Sequence, residues 1–180
     1  SVATGWYGDK NSYLSYSSEN TFDSKMKTSG SVMGRAKHLP TALFKGYEGS
    51  DLMISTYGTV FISVKDSEKH NAIKIAARFH QLGFKLLATE GTANVLAEEG
   101  ITTGIIEKVQ EGSNSLLEKI KQHRINLVIN VTSLSDSASH DAIMIKDAAL
   151  STHIPVFSSL QSAQDVLIVL ETLAMTTQPL

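Results

Sequence analysis

The chain has 180 residues, 42% of them hydrophobic and 19% charged, with 16 Lys and Arg against 18 Asp and Glu for a formal charge of −2. A chain of this length buries about 70% of its unfolded surface, enough for one full core without covalent staples. It has no cysteine, which excludes disulfide scaffolds, Cys nucleophiles and thiolate zinc sites, and it lacks the basic excess of a nucleic-acid binder.

The longest apolar runs, such as Leu127 to Ile129 and Val166 to Leu170, are far too short to span a bilayer. No basic-then-apolar signal stands at the N-terminus, and zero Cys with three Pro leads us to expect a cytoplasmic protein. The first residue is Ser1 rather than Met, as expected of a processed product or a piece of a longer chain.

Residues 1–38 are rich in Ser, Tyr, Asn and Gly and hold no sustained period of 2 or 3.6; only Ser12 to Ser17 alternate weakly, like an edge strand. The first 50 residues carry six Lys or Arg against four Asp or Glu, a charge of +2 that leaves −4 for the rest. This segment is either disordered or the end of a neighbouring domain. Pro40 is suited to open a short helix through Tyr47, with Gly49-Ser50 as its break.

From residue 59 the pattern is regular. Val60, Ile62 and Val64 lie in a β-rich run that ends at Asp66-Ser67, an N-cap for a helix carrying Ile73, Ala76, Ala77 and Leu82 and stopped by Gly83. Phe84 to Ala88 reads as a second strand and Gly91 to Glu99 as a helix; Ile101 to Glu107 reads as a third strand and Ser115 to His123 as a helix. Asn126 to Val131 is a fourth strand, Ser139 to Leu150 a helix, Ile154 to Phe157 a fifth strand and Ala163 to Met175 the last helix. Apolar strands alternating with amphipathic helices predict a doubly wound α/β domain, its five-stranded, mainly parallel sheet covered on both faces.

In such sheets ligands bind beyond the carboxyl ends of the strands. The residues there are Ser63 and, one helical turn on, Lys69; Thr89-Glu90-Gly91-Thr92; Lys108; Asn130 to Ser133; and Ser158-Ser159. Each hydroxyl taken alone reads as an ordinary N-cap. Together with two lysines and several helix N-termini, the set reads as an anion site suited to phosphate. No Walker loop and no Gly-x-Gly-x-x-Gly is present. The six histidines lack metal-ligand spacing, and no metal site is expected; His140-Asp141 opens a helix near the same rim. Asp66 to Glu68 and Glu98-Glu99 read as solvated helix ends. No Ser-His-Asp set or isolated carboxylate pair points to hydrolysis.

The runs Val60 to Lys69 and Gly83 to Ala93, the latter with Thr89-Glu90-Gly91-Thr92-Ala93, resemble the methylglyoxal-synthase-like domain. More narrowly, Lys108-Val109-Gln110-Glu111-Gly112 with Ile129 to Ser133 resembles the regulatory domain at the C-terminus of the carbamoyl phosphate synthase large chain, over about residues 59 to 172. Met26 to Gly34 is similar to the segment closing that family's carbamate-phosphorylating ATP-grasp unit, with Ser31 in place of an acidic residue and Thr28-Ser29 in reversed order. The domains so implied are 1–38, a remnant of the ATP-grasp unit too short for ATP chemistry; 39–50, a short linking helix; and 51–180, an allosteric effector-binding domain.

The resemblance implies a nucleotide effector, typically UMP, whose phosphate is held by Lys69, Thr89, Thr92 and Lys108, with Ser63, Asn130 and Thr132 lining the pocket. It implies no catalytic residue and no cofactor in this stretch; the parent enzyme uses ATP with Mg or Mn, and its partners are the rest of the large chain and a glutamine amidotransferase small chain. Neither nucleic acid nor a membrane is expected. Lys65 falls outside the matched set. Val156 and Phe157 replace the polar residues of the ornithine-responsive form, which speaks against ornithine activation.

Two relatives compete. Methylglyoxal synthase supplies a catalytic Asp after its third strand, where this chain reads Glu111-Gly112-Ser113-Asn114-Ser115, yet His140-Asp141 matches that enzyme's His-Asp pair. The IMP cyclohydrolase domain shares the first two βα units, but its Lys-Thr-Leu-His-Pro-Lys motif is missing. A purely structural role in docking is a third class of reading.

Overall fold

Val60, Phe61 and Ile62 are all at most 1% exposed, the signature of a strand buried on both faces at the centre of a parallel sheet. In the computed structural model, which describes residues 27–28, 41–45, 51–109, 114–136 and 139–177, they form β4 (Thr59–Val64). It is preceded by β1 (Lys27–Thr28), β2 (Thr41–Lys45) and β3 (Asp51–Ser55). After it come α1 (Lys69–Gln81), β5 (Lys85–Ala88), α2 (Glu90–Glu98), β6 (Gly104–Ile105) and α3 (Ser115–Lys121). The chain continues with β7 (Leu127–Val131), α4 (His140–Thr152), β8 (Val156–Phe157) and α5 (Leu160–Thr177).

Five strands form one sheet in the order β6-β5-β4-β7-β8, every pair parallel. The chain winds outward from β4 through β5 to β6, then returns to add β7 and β8 on the other side. On one face α1, α2 and α5 cover a core containing Phe79, Leu96 and Leu167. On the other, α3 and α4 cover a cluster containing Phe61, Ile120, Val128 and Ile145. The doubly wound α/β domain expected from the sequence is the one observed. Among the described residues no helix is long and apolar enough to cross a membrane.

The amino ends of β4 and β7 are tied side by side. The Asn126 side-chain oxygen accepts from the Thr59 N–H at 2.8 Å, and Gly58 sits beside it at φ +124°. A Cβ at Gly58 would fall 2.0 Å from that oxygen, so the position requires glycine for both conformation and space. Across the α1–α5 layer Arg78 forks onto Glu171, at 2.9 and 2.6 Å, a bidentate geometry that fixes the relative rotation of the two helices.

Three expectations need correction. The linking helix expected over 39–50 is instead strand Thr41–Lys45, paired antiparallel with Asp51–Ser55 from Thr41↔Ser55 to Lys45↔Asp51. A boundary at residue 51 would cut this strand pair. Asp66-Ser67 does not cap α1: a 3-10 turn (Asp66–Glu68) leads in without a side-chain cap, because the Asp66 carboxylate is engaged by Lys69. The third strand shrinks from Ile101–Glu107 to Gly104–Ile105, because as the sheet edge it has one neighbour to pair with. The ATP-grasp remnant over 1–38 and the weak strand at 12–17 lie outside the described residues, apart from Lys27–Thr28.

Ile54, on β3, is fully buried and belongs to the same core as Val60 and Leu127. Removing its side chain leaves a cavity, and Ile54→Ala should lower unfolding stability by about 2–5 kcal/mol. Urea denaturation of the full chain reads this out. A loss below about 0.5 kcal/mol, the range of an ordinary surface change, would show that β3 is not part of the core.

Candidate functional site

The sheet order reverses between β4 and β7, because the connection leaving β4 runs to one face and that leaving β7 to the other. Ser63↔Asn130 and Val64↔Val131 are paired across this junction. A cleft of about 380 Å³ opens there, at the carboxyl ends of the strands, where a doubly wound sheet offers its ligand site. Its walls include Ser63, Lys69, Thr89, Lys108, Asn130 and Thr132. Six of the seven residues singled out from the sequence therefore come together.

The seventh, Thr92, does not line the cleft. It is 1% exposed, and its hydroxyl accepts from the Val64 N–H at 3.3 Å. That bond ties the first turn of α2 to the end of β4. Thr89 occupies the N-cap of α2 in extended conformation without using its side chain as a cap. Its hydroxyl instead donates to Ser63 Oγ at 3.2 Å. The first N–H groups of α2 are thus left without a side-chain acceptor, at the positive end of a nine-residue helix.

Lys69 stands over this helix end. Its ammonium donates to the Val64 carbonyl at 2.9 Å and to Asp66 Oδ1 at 2.6 Å. Gly91 makes the approach possible: a Cβ there would come within 3.2 Å of Lys69 Cε and 3.7 Å of Nζ. Lys69 is 18% exposed while Asp66 is 99% exposed, so the cation is held by the fold and the anion is free to swing into solvent. Among the described residues the side chains of Lys108, Asn130 and Thr132 make no hydrogen bond.

Four charged wall residues fall outside the matched site set: Lys65, Asp66, Asp136 and Asp141, the last noted in the sequence only with His140 as a pair near the rim. Lys65, expected outside the set, is on the wall because the strand end turns immediately into the 3-10 turn. Asp66 precedes Lys69 by three residues, a spacing that signals a neighbouring pair on a helical turn and that neither the N-cap nor the solvated-end reading takes into account. Asp136 accepts from Ser133 Oγ at 2.8 Å in the loop after β7. Asp141 lies in the first turn of α4 behind the Ser139 cap, and its neighbour His140 is exposed and off the wall. Ser159 proves to be a plain cap of α5, accepting from the Ser162 N–H at 3.1 Å. The Lys108 loop continues into residues 110–113, outside the described residues.

The cleft has an electrostatic direction. Lys65, Lys69 and Lys108 flank the β4–β6 side, whereas Asp136 and Asp141 flank the β7–α4 side. The Asp66 carboxyl is held below its ordinary value of 3.8, first by the Lys69 hydrogen bond, then by attraction to Lys69 and, more weakly, to Lys108. A folded-state pKa below the unfolded one adds stability at neutral pH, and that stability is lost as pH falls through the folded value. Carboxyl-detected NMR should therefore place the Asp66 midpoint below an ordinary aspartate, and Lys69→Met should move it upward. A midpoint indifferent to that substitution would refute the ion pair.

A larger concavity of about 950 Å³ lies near the amino ends of β4 and β5. It contains none of the residues singled out above, and the strand carboxyl ends point away from it.

Two solved structures share the fold. A methylglyoxal synthase from Elizabethkingia anophelis NUHP1 is similar at 19% identity and TM-score 0.52, covering 63% of this chain and 79% of that one. The structure of ForH is similar at 22% identity and TM-score 0.52, covering 68% and 85%. Residues 71–158 match the family model of the MGS-like domain, a stretch that takes in the wall residues Thr89, Lys108, Asn130 and Thr132 and begins just past Lys69.

Proposed function

We propose that this chain is the effector-binding regulatory domain of a carbamoyl phosphate synthase large chain, and that its switch-point cleft takes a nucleoside monophosphate such as UMP. The observation that carries the reading is the direction of the cleft: cations and free helix N–H groups at one side, amide, hydroxyl and carboxylate acceptors at the other. A ligand with a dianionic phosphate at one end and hydroxyl and imide donors at the other matches that direction, whereas a uniform polyanion would meet Asp136 and Asp141. In this reading the phosphate sits over the N-terminus of α2, against Lys69, Thr89 and Lys108, and Asn130 and Thr132 face the nucleoside. Thr92 contributes by fixing the first turn of α2 against β4. Lys69 exchanges Asp66 for phosphate, keeping its bond to the Val64 carbonyl. The parent enzyme would supply ATP and Mg or Mn to its own catalytic units, with a glutamine amidotransferase small chain as partner, in the cytoplasm.

UMP should stabilise the full chain. At about 100 times its dissociation constant a ligand bound only to the folded state adds about 2.7 kcal/mol, which for this size raises Tm by about 5–10 °C. Uridine should do much less. Lys69→Ala should weaken UMP binding about 10- to 150-fold, the loss of one charge-assisted contact, while Lys74→Ala, on the exposed side of α1, should leave it unchanged. Equal shifts from UMP and uridine would sink the assignment.

Asp141 on the wall keeps a lyase of the methylglyoxal synthase type as the second reading. Making methylglyoxal from dihydroxyacetone phosphate needs a carboxylate base at the substrate carbon, and the loop after β6 carries none between Gly112 and Ser115. We therefore expect no methylglyoxal above a buffer blank. Release that is abolished by Asp141→Asn would replace the regulatory reading.

A further inference from the structure

The two faces of the five-stranded sheet are unequally covered. Among the described residues three helices pack on the α1 side and two on the other. The cluster on the second side takes its strand residues from β4, β7 and β8 through Phe61, Val128 and Val156, with Ile106 just past β6. Leu87 of β5 reaches it only half-buried. Beside Leu87 on this face stand Lys85, by strand alternation, and Gly104, its register partner on β6. Strands of a parallel sheet are ordinarily buried on both faces, so the end of β5–β6, bare among the described residues, is an exception that invites a cover. The concavity of about 950 Å³ lies here.

Its charge is one-sided. Lys85, Lys119, Arg124 and His80 line it, and among the described residues no Asp or Glu does. None of these four side chains makes a hydrogen bond or ion pair among the described residues. Lys119 and His80 stand in the last turns of α3 and α1, where helix carbonyls favour a cation. Arg124 closes the end of α3, its N–H donating to the Lys119 carbonyl at 2.8 Å, whereas Lys85 is on a strand, so no helix end accounts for it.

We propose that the bare β5–β6 face is a docking surface for an acidic protein segment, whose carboxylates meet Lys85, Lys119 and Arg124 while an apolar side chain covers Leu87. Exposed ion pairs carry such contacts weakly and with strong salt dependence, so the partner is one held nearby by other contacts. The surface is remote from the effector cleft and independent of what that cleft binds.

Fluorescence anisotropy of a labelled peptide of alternating Glu and Val, at low ionic strength with the full chain, tests this. The Glu peptide should bind, and its Gln counterpart should not. Combined Lys85→Glu, Lys119→Glu and Arg124→Glu should weaken binding at least about tenfold, and Lys74→Glu should leave it unchanged. Should the triple variant fail to melt cooperatively, Lys85→Gln with Arg124→Gln asks the same question at lower charge cost, with a severalfold loss expected. Absent binding, equal affinity for the Gln peptide, or equal loss in Lys74→Glu would overturn the proposal. So would binding of inorganic tripolyphosphate with the same variant sensitivity but no peptide binding, which would mark a small-anion site. UMP stabilisation should survive the triple variant, so a failed peptide result leaves the effector reading untouched.

Discussion

The parallel pairing of β4 with β7 is the constraint on which the rest of the structure depends. These strands are distant in sequence but adjacent in space, and the connections that leave them go to opposite faces of the sheet. Helices can therefore pack on both sides while, among the described residues, no helix lies over the junction itself. The opening is a consequence of chain winding, and it needs no residue devoted to holding it apart. What the sequence adds is the chemistry around it, delivered by the first residues after β4, β5, β6 and β7.

Within that opening Lys69 is the centre of a small mechanical arrangement. The Val64 carbonyl holds its ammonium in place from below, and Gly91 yields the room for its side chain above. Asp66 balances the charge from solvent. An ammonium with a fixed backbone partner and a detachable carboxylate partner is prepared for anion exchange at little reorganisation, since the side chain is already where the incoming anion would need it. Thr92 serves the same end from the interior, because its buried bond to Val64 keeps the helix end and the strand end from drifting apart.

The alternation of apolar strands with amphipathic helices made the α/β winding legible, because burial on two faces demands continuous apolar runs such as Leu127 to Ile129. Six of the cleft residues were legible for a related reason: strand ends are easy to locate, and in this topology strand ends are where ligands lie. The misreadings share a different origin. Thr92 looked like Thr89 in sequence, yet one helical turn separates a hydroxyl that faces the opening from one that faces the strand. Asp66 looked like a cap, and its carboxylate was taken by a lysine three residues on. Pro40 to Tyr47 has too little periodicity to separate helix from strand, and the outcome depends on Asp51 to Ser55 being available as a pairing partner. Long-range partners decide the place of Thr92 and of strand Thr41–Lys45, whereas a lysine one turn away decides that of Asp66.

Gly58 and Asn126 carry an evolutionary consequence. The carboxamide oxygen that satisfies the Thr59 N–H occupies the space a Cβ at position 58 would need. Losing the amide alone orphans a backbone donor, and gaining a side chain at 58 alone drives the amide away. Neither position can drift by itself without passing through a less stable protein, so among descendants of this chain the two should be retained together or exchanged together. The covariation would arise between residues that contribute nothing to ligand chemistry, at the end of the sheet opposite the cleft.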